Sequence, residues 1–366
     1  MIWAQLPQLQ VPILSGDART RGRLQALGAD ASLRAKVQVA TVARAQALCA
    51  EGRLSHALLE YVAAQYRFHQ EHDPDGMSEL QGIAEGFDLP EDMLFLHLHL
   101  GTLRDILNGA LLSGDGCSAF AVGDSQDGPF VAKNRDFTGT HLGVQRLFWH
   151  EGTDIVTGGT LCLGSLGSPG AYSSGMNAAG LALADTQIGT RSHAVGWLRY
   201  LAMTRILATC HSVPEALDWL ESRPHAGGGA IVLADRHGAT ASVELGVNGP
   251  VTSRGVRSWN TNHFRTPQLG PETLLHEGSV IDDNSALRLG ALSHRLSGRA
   301  PGLSEAAAIM SLHRDSPEAA PVCQHSGAGH DTSTLSSVIY AIAQRRAYFH
   351  DANPCAGNWH RFDLPQ

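Results

Sequence analysis

Gly114-Asp-Gly-Cys-Ser-Ala-Phe-Ala-Val122 separates two parts of the sequence that have different patterns of apolar residues. Before this stretch, from about residue 17 to residue 107, apolar residues recur at helical spacing, for example every fourth position after Leu54. After it come short β-rich runs that are separated by glycine, asparagine and aspartate turns. We therefore predict a helical segment over residues 1–116 and a β-rich core over residues 117–366, which together form one globular unit.

The β-rich part contains strands and helices in separate blocks. Strand pairs are predicted at about 175–183, 230–245 and 333–350. Helices are predicted at about 195–209, 213–222, 284–297 and 303–312. Because strict β-α-β alternation is missing, the pattern favours an α+β layered architecture over a doubly wound parallel sheet.

The composition excludes several large functional classes. The 366 residues carry a formal net charge of −8 without basic runs, so the sequence has no electrostatic footprint for nucleic acid. Its only two lysines, Lys36 and Lys133, do not follow a glycine, which rules out the usual phosphate-binding loop. The motifs H-E-x-x-H and G-x-S-x-G are also missing. Small molecules are therefore the predicted partners.

The amino terminus lacks a charged region followed by an apolar one, and no stretch reaches the roughly 18 apolar residues of a membrane span. We predict a cytoplasmic protein without a membrane span. Six scattered cysteines without C-x-x-C pairs predict free thiols, mostly buried, rather than a disulfide framework or a zinc knuckle. His97-Leu-His99 is the closest histidine pair, but residues two apart do not share a helix face. The sequence thus predicts no metal site and no cofactor.

A predicted hairpin surrounds the cysteine of the opening stretch. Its turn at 124–128 lies between two apolar runs and is centred near residue 126. Folding about that point sets Cys117 opposite residues near 135, and opposed residues of antiparallel strands lie roughly 4.5 to 5.5 Å apart. We therefore expect Asn134, Arg135 and Asp136 to converge on the Cys117 thiol.

Gly116 precedes this cysteine and leaves its carbonyl open to attack, because glycine adopts backbone angles that other residues avoid. An N-to-S acyl shift from Gly116 to Cys117, followed by hydrolysis, would free the α-amine of Cys117. That amine has a pKa of roughly 7.7 to 8.0 and can act as a general base near neutrality. The sequence therefore predicts a self-cleaving cysteine nucleophile that needs no distant histidine.

Several stretches along most of the chain resemble one enzyme family. They are Leu80–Gly86, Asp115–Phe120, Asn134–Phe137, Gly175–Leu181, Thr261–Phe264, Val322–His325 and Asn353–Cys355. In order and spacing they resemble the acyl-coenzyme A:6-aminopenicillanic acid acyltransferase family, a branch of the N-terminal-nucleophile (Ntn) hydrolases that is similar to penicillin V acylases and bile salt hydrolases. The resemblance implies a four-layer αββα sandwich as the catalytic core over residues 117–366, with segment 1–116 still bound after cleavage.

The resemblance also implies roles for individual residues. Cys117 would be the nucleophile, the Gly116–Cys117 peptide the bond cleaved in maturation, and Asp136 the partner of the new amine. Asn262 would donate its side-chain amide to the oxyanion. Asn260 competes for this role, because it lies on the same side of an extended strand.

The predicted pocket includes four further residues. Arg135 and Asp185 depart from the family pattern, and both are expected to shape the acyl or amine pocket; Arg135 is also a candidate catalytic residue. Asn134 and His263 lie in matching stretches and complete the predicted substrate-binding set with Asp185.

These features predict an acyltransferase or amidohydrolase that acts on amide or acyl thioester bonds through an acyl thioester on Cys117. The expected partners are a small-molecule acyl donor, an amine or amide substrate, and the protein's own N-terminal fragment; acyl-coenzyme A is a candidate co-substrate. Two alternatives stay open. One is an amidase of the penicillin V acylase or ceramidase kind that uses only water, and the other is an unprocessed scaffold in which residues 1–116 block Cys117.

Overall fold

A computed structural model of the chain describes residues 3–108, 116–275, 281, 283–317, 319–327 and 332–365. The α-helices are α1 (Ala18–Leu24), α2 (Ala31–Ala40), α3 (Val42–Ala50), α4 (His56–His72), α5 (Pro74–Phe87), α6 (Glu91–Leu98), α7 (Leu100–Asn108), α8 (Arg199–Thr209), α9 (Val213–Glu221), α10 (Asp283–Ser297) and α11 (Leu303–Met310). The strands are β1 (Ile13–Ser15), β2 (Ser118–Val122), β3 (Phe130–Thr138), β4 (Gln145–Glu151), β5 (Thr160–Ser165), β6 (Ser174–Asn177), β7 (Leu181–Thr186), β8 (Ala230–Asp235), β9 (Thr240–Gly246), β10 (Gly249–Gly255), β11 (Arg257–Asn260), β12 (Thr332–Ala341), β13 (Arg346–Asp351) and β14 (His360–Asp363).

Two sheets form the centre of the molecule. The larger has eight strands in the order β1-β4-β5-β6-β7-β8-β9-β10, and the smaller has six in the order β11-β2-β3-β12-β13-β14. The pairs are antiparallel except for β1 and β4, which run parallel. This pairing confirms the predicted α+β class, since a doubly wound fold would require parallel neighbours joined by crossover helices.

Three apolar clusters separate four layers. Side chains from the facing sides of the two sheets, including Ala119, Leu161 and Val338, form the middle cluster. The outer face of the eight-stranded sheet packs on helices that include α2, α3, α5, α6, α8 and α9. The outer face of the six-stranded sheet packs on α10 and α11. The order helix, sheet, sheet, helix is the predicted αββα sandwich.

Side chains at the helix starts explain where several helices begin. Asp17, Asp30 and Ser55 each accept a hydrogen bond from the backbone N–H three residues further on, which satisfies a donor that the helix itself leaves open. Pro74 opens α5 directly after its capping residue Asp73, where the missing N–H of proline costs nothing. None of the described helices combines the length and the apolar character that crossing a bilayer requires.

The segment before Cys117 is not purely helical. Strand β1 extends the edge of the larger sheet beside β4, and sequence analysis missed it because three residues carry no periodic signal. Arg21 is 2 % exposed and donates to the two carboxylate oxygens of Asp154 at 2.7 and 2.5 Å. Glu79 accepts from the backbone N–H of Gly170 at 3.0 Å. Strand pairing and buried charge therefore both join this segment to the core.

Candidate active site

Cys117 lies directly before β2, in the wall of a cavity of about 170 Å³. The β2–β3 hairpin pairs Ser118 with Asn134, which confirms the predicted turn centre at residue 126. One step further along this register, Cys117 stands opposite Arg135. The residue is 8 % exposed, and its Sγ lies 4.0 Å from the backbone oxygen of Asp136. The sulfur is thus placed at a cavity wall beside polar groups, as the hairpin geometry predicted.

Asp136 lies on β3 beside the thiol and lines the same cavity. Its carboxylate accepts hydrogen bonds from Thr334 Oγ1 at 2.5 Å and from Gln324 Nε2 at 3.0 Å. Burial raises the pKa of Asp136 to about 6, although the charge of Arg288 and these two hydrogen bonds act in the opposite direction. The group is therefore ionised at neutral pH and takes up a proton in mildly acidic solution.

The peptide bond between Gly116 and Cys117 is held by Gln324. The Gln324 Nε2 atom donates to the Gly116 carbonyl oxygen at 3.1 Å as well as to Asp136. A Cβ atom on residue 116 would come within 1.7 Å of that nitrogen, so only glycine leaves room for it. The φ angle of Gly116 lies outside the left-handed region. Glycine therefore leaves space for the Gln324 contact, and its role does not depend on the unusual backbone angles expected from the sequence.

A buried group of charges lies next to the thiol. Lys133 Nζ donates to the backbone and carboxylate oxygens of Asp185, and Arg199 Nε donates to the second carboxylate oxygen at 2.8 Å. Burial acts to lower the pKa of Lys133, but the charges of Cys117 and Asp185 outweigh it and raise that pKa. Burial acts to raise the pKa of Asp185, but Lys133 and Arg199 outweigh it and lower that pKa. The Lys133 ammonium therefore favours the thiolate form of Cys117.

Arginine side chains make up much of the cavity wall. Arg135 donates to Gln145 Oε1 at 2.8 Å and to Ser165 Oγ at 3.0 Å. Its guanidinium also lies over the ring of Tyr172, 5.1 Å from the centroid. Through these contacts Arg135, on the smaller sheet, is held against strands β4 and β5 of the larger sheet. Further arginines in the wall are Arg44, Arg104 and Arg199.

His97 and His141 face the same cavity as neutral rings. Burial, together with the charges of Arg44 and Arg135, lowers the pKa of His97 to about 3 and that of His141 to about 2. Arg44 Nη1 donates to His141 Nε2 at 3.0 Å, which fits an unprotonated ring nitrogen. Neither ring nitrogen of His97 has a hydrogen-bond partner within the described part of the chain.

Asn262 lies just outside the cavity lining and is joined to Cys117 through Arg288. Arg288 is 1 % exposed and donates to the Cys117 carbonyl oxygen at 2.6 Å and to Asn262 Oδ1 at 2.8 Å. The Asn262 Nδ2 atom donates to the backbone oxygen of Gln187 at 2.7 Å. By contrast, Nδ2 of Asn260 is buried without a partner among the described residues. The choice of Asn262 over Asn260 as oxyanion donor stays a prediction.

One protein-family model matches most of the β-rich part of the chain. The model described as acyl-coenzyme A:6-aminopenicillanic acid acyl-transferase matches residues 123–355, more than half of the chain. The chain belongs to this acyl-transferase family. No curated protein matches the sequence. Because the match begins after Cys117, the assignment of the nucleophile depends on the geometry of the site and not on the family model.

The acyl-transferase family member is also similar to solved structures. A mutant conjugated bile acid hydrolase from Clostridium perfringens has a TM-score of 0.43 and 12 % identity, over 68 % of this chain and 97 % of the other. Penicillin V acylase from Agrobacterium tumefaciens has a TM-score of 0.36 and 15 % identity, over 64 % and 83 %. The Caenorhabditis elegans N-acylethanolamine-hydrolyzing acid amidase ortholog has a TM-score of 0.43 and 12 % identity, over 68 % and 100 %.

The structure of this family member brings some of the predicted site residues together. Those that line one cavity are Cys117, Arg135, Asp136 and Asp185. Asn134 instead donates to the backbone oxygens of Met310 and Val322, both at 2.8 Å, and so ties β3 to the helical layer. His263 Nδ1 lies 2.8 Å from Ser285 Oγ, outside the cavity lining. Substrate binding by Asn134 and His263 stays a prediction.

Three residues that the sequence did not single out contact Cys117 or its neighbours. Lys133 lies two residues before Arg135 and therefore faces the same side of β3, so strand alternation was a usable signal. Arg288 comes from α10 and Gln324 from the loop before β12, far from Cys117 in sequence. Gln324 stands in the family-like stretch Val322–His325, but that stretch gives no sign of its contacts, and only the packing of the layers brings both residues to the site.

Proposed function

We propose that this protein is the precursor of a cysteine Ntn enzyme that cleaves itself between Gly116 and Cys117 and then transfers acyl groups through Cys117. The observation that carries the proposal is the position of Cys117, between a buried ammonium and a hydrogen-bonded carbonyl, at the wall of a cavity. Family membership supports the same reaction class, amide hydrolysis or acyl transfer. Cys117 therefore serves first as the cleaving group and then as the nucleophile of turnover.

In maturation, the Cys117 sulfur attacks the carbonyl carbon of Gly116. Negative charge develops on the Gly116 oxygen, where the Gln324 amide already donates. The carbon–nitrogen bond then breaks, the amine nitrogen keeps its electron pair and gains the thiol proton, and a thioester links Gly116 to the Cys117 sulfur. Water hydrolyses this thioester, which leaves a carboxylate on Gly116 and both a thiol and an α-amine on Cys117.

In turnover, the free α-amine of Cys117 takes the thiol proton and the sulfur attacks an amide or thioester carbonyl. Lys133 stabilises the thiolate, and the Asp136 carboxylate, which lines the same cavity, is proposed to hold the α-ammonium that forms. The leaving amine or thiol takes that proton. An amine or water then attacks the acyl thioester, so the same site supports both a transferase and a hydrolase.

The charge of the cavity supports a substrate that carries an anionic group. Four arginines line the wall against two aspartates, and Asp185 is already paired with Lys133 and Arg199. Arg104, on α7, has no hydrogen bond or ion pair to the described residues. Its guanidinium is therefore available to a carboxylate or phosphate, and the phosphates of an acyl-coenzyme A donor are one source of such charge.

The segment 1–116 is expected to stay bound after the cut. It supplies β1 to the larger sheet, the buried Arg21 to Asp154, and two arginines of the cavity wall, Arg44 and Arg104. Its departure would expose the large cluster between the helices and the sheet. The mature enzyme is thus proposed to be a complex of two fragments that share one active site.

Intact mass measurement tests the cut and the nucleophile together. Wild-type protein should give fragments 1–116 and 117–366, and a cysteine-directed acyl probe should add its acyl mass to the second fragment. Cys117→Ala should remain one chain and take up no acyl group at this position, whereas the control Cys49→Ala should behave as wild type. A wild-type chain that stays intact would reject the proposal and favour the scaffold alternative.

Matched acyl donors test the substrate class. We expect acyl-coenzyme A, or an N-acyl amino acid, to react faster than the same acyl group on N-acetylcysteamine or on a neutral carboxamide. Arg104→Ala should raise the KM of the charged donors and so reduce their advantage over the neutral donors at least about tenfold. Arg104→Lys should keep most of that advantage. Arg67→Ala, on the exposed face of α4, should leave it unchanged. Equal rates for charged and neutral donors would reject an anionic substrate. Added amines in the same assay distinguish amide products from hydrolysis.

A further inference from the structure

Four side chains with metal-binding atoms meet away from the cavity, on the helical side of the six-stranded sheet. They come from three separate segments and are His313, Cys323, His325 and Cys355. One nitrogen or sulfur atom from each lies within 4.8 Å of the others. Cys323 is buried, His313 is half-buried, and His325 and Cys355 are exposed, so an ion in solution can reach the group.

The distances match those of a tetrahedral site. With Zn–N bonds of about 2.05 Å and Zn–S bonds of about 2.3 Å, a tetrahedron separates two nitrogens by about 3.3 Å and a nitrogen from a sulfur by about 3.6 Å. His325 Nε2 lies 3.2 Å from His313 Nε2. The same nitrogen lies 3.7 Å from Cys323 Sγ and 3.5 Å from Cys355 Sγ. The side chains therefore already surround a volume of the size that one ion requires.

The surroundings of the four atoms are those of a ligand set. Asn353 Nδ2 donates to Cys323 Sγ at 3.4 Å, which stabilises a thiolate, and to the Gln324 backbone oxygen at 2.5 Å. The second ring nitrogen of His313 faces Asp315 Oδ1 at 3.9 Å. A hydrogen bond such as that from Asn353 to Cys323 orients a metal ligand.

We propose that His313, Cys323, His325 and Cys355 bind one Zn²⁺ ion in a closed structural site. Two thiolates and two imidazoles in a tetrahedron are the ligand set that zinc prefers. Because the protein supplies all four donors, no coordination position is left for substrate, and the ion takes no part in chemistry. Sequence analysis predicted no metal site, since the four ligands span three loops and only Cys323 and His325 are close in sequence.

The site has a consequence for the neighbouring active site. Gln324 stands between ligands Cys323 and His325, and its side chain donates to Gly116 and Asp136. Zinc would fix this loop and so hold the Gln324 amide in place. This link rests on the proposed function, whereas zinc binding itself does not.

Metal content of the full-length protein, purified without chelators, tests the site. We expect about one zinc per chain in wild type and in the uncleavable Cys117→Ala variant, so the result does not depend on processing. Cobalt(II) added to the metal-free protein should give the intense visible bands of a tetrahedral ion and a thiolate-to-metal charge-transfer band. Cys355→Ser and His325→Ala, both at exposed positions, should weaken zinc binding at least tenfold. The exposed Cys49→Ser should bind as wild type.

The outcomes distinguish zinc binding by these four side chains from the absence of a metal and from a disulfide. Zinc far below one per chain together with no cobalt spectrum would overturn the proposal, as would a metal that survives in Cys355→Ser and His325→Ala. A disulfide between Cys323 and Cys355, seen as a chain lighter by two hydrogens in non-reducing mass spectrometry, would overturn it as well. For the link to the active site, metal-free protein and Cys355→Ser should self-cleave at least several-fold more slowly than wild type. Unchanged cleavage would reject the idea that zinc holds Gln324 in place. The measured zinc content alone would then decide whether the zinc site exists.

Discussion

The contact between Gly116 and Gln324 makes a quantitative prediction about self-cleavage. Gln324→Ala removes one donor from the oxygen on which charge develops, which costs about 2.7 to 4 kcal/mol, a rate loss of about 10² to 10³. Gly116→Ala should cost a similar amount, because its Cβ would come within 1.7 Å of Gln324 Nε2 and displace that side chain. Since both changes remove the same interaction, the double variant should cleave no more slowly than Gln324→Ala alone.

The assay is a time course of fragment formation after a pulse of cell-free translation, read by electrophoresis. The double-mutant cycle should give a coupling energy about equal to the loss in either single variant. Gln324→Glu is a useful comparison, since it keeps the size of the side chain but supplies no amide donor. Additive losses in the double variant, or wild-type cleavage by Gly116→Ala, would refute the reasoning that space for Gln324 is what glycine provides.

Three further outcomes follow from the charges and packing of the site. The Asp136 carboxylate accepts from the same Gln324 amide that donates to the Gly116 carbonyl, so it orients that donor for cleavage. Because burial raises the pKa of Asp136 to about 6, the carboxylate is present above that pH and lost below it, and cleavage at pH 5 should run at about a tenth of its neutral rate. Asp136→Asn should cleave slowly at every pH, and a wild-type rate that is flat from pH 7 to 5 would contradict this. Lys133→Met should slow alkylation of Cys117 by iodoacetamide at pH 7 by about tenfold to a hundredfold, since one charge-assisted hydrogen bond is lost, while Cys49 in the same molecule reacts as before. Equal slowing at both cysteines would point to an unrelated change. The fragments should co-elute in gel filtration and separate only in denaturant, because strand pairing and a buried ion pair join them; separation in native buffer would show that the segment is a released propeptide.

The cysteine residues illustrate where local pattern is informative and where it is not. Four of the six cysteines are buried, in line with the expectation of mostly buried residues, whereas Cys49 and Cys355 are exposed. Cys355 follows Asn353 and Pro354 in a surface loop, and its exposure depends on how that loop lies against His325. Cysteine as a residue type favours burial, yet the packing around each cysteine decides whether that residue is buried.

The hairpin at Cys117 was predictable because it depends on neighbours in sequence. A turn centred at residue 126 is enough to bring residues 134–136 beside Cys117, and alternation along β3 places Lys133 and Arg135 on the same face. The same reasoning fixed the helices on both sides of the core and the α+β class. Lys133 followed from the same alternation but was not recognised, since its partner Asp185 lies on the other sheet.

The sequence by itself therefore predicted the α+β class, the nucleophile candidate, the hairpin around it and the family. Only the tertiary structure decided which residues approach from distant parts of the chain: Gln324 at the Gly116 carbonyl, Arg288 between Cys117 and Asn262, and the arginines of the N-terminal segment in the cavity wall. It also gathered the four zinc ligands from three loops. The physical reason is that turns and strand alternation act over a few residues, whereas these contacts exist only after four layers have packed and closed long stretches of chain upon one another.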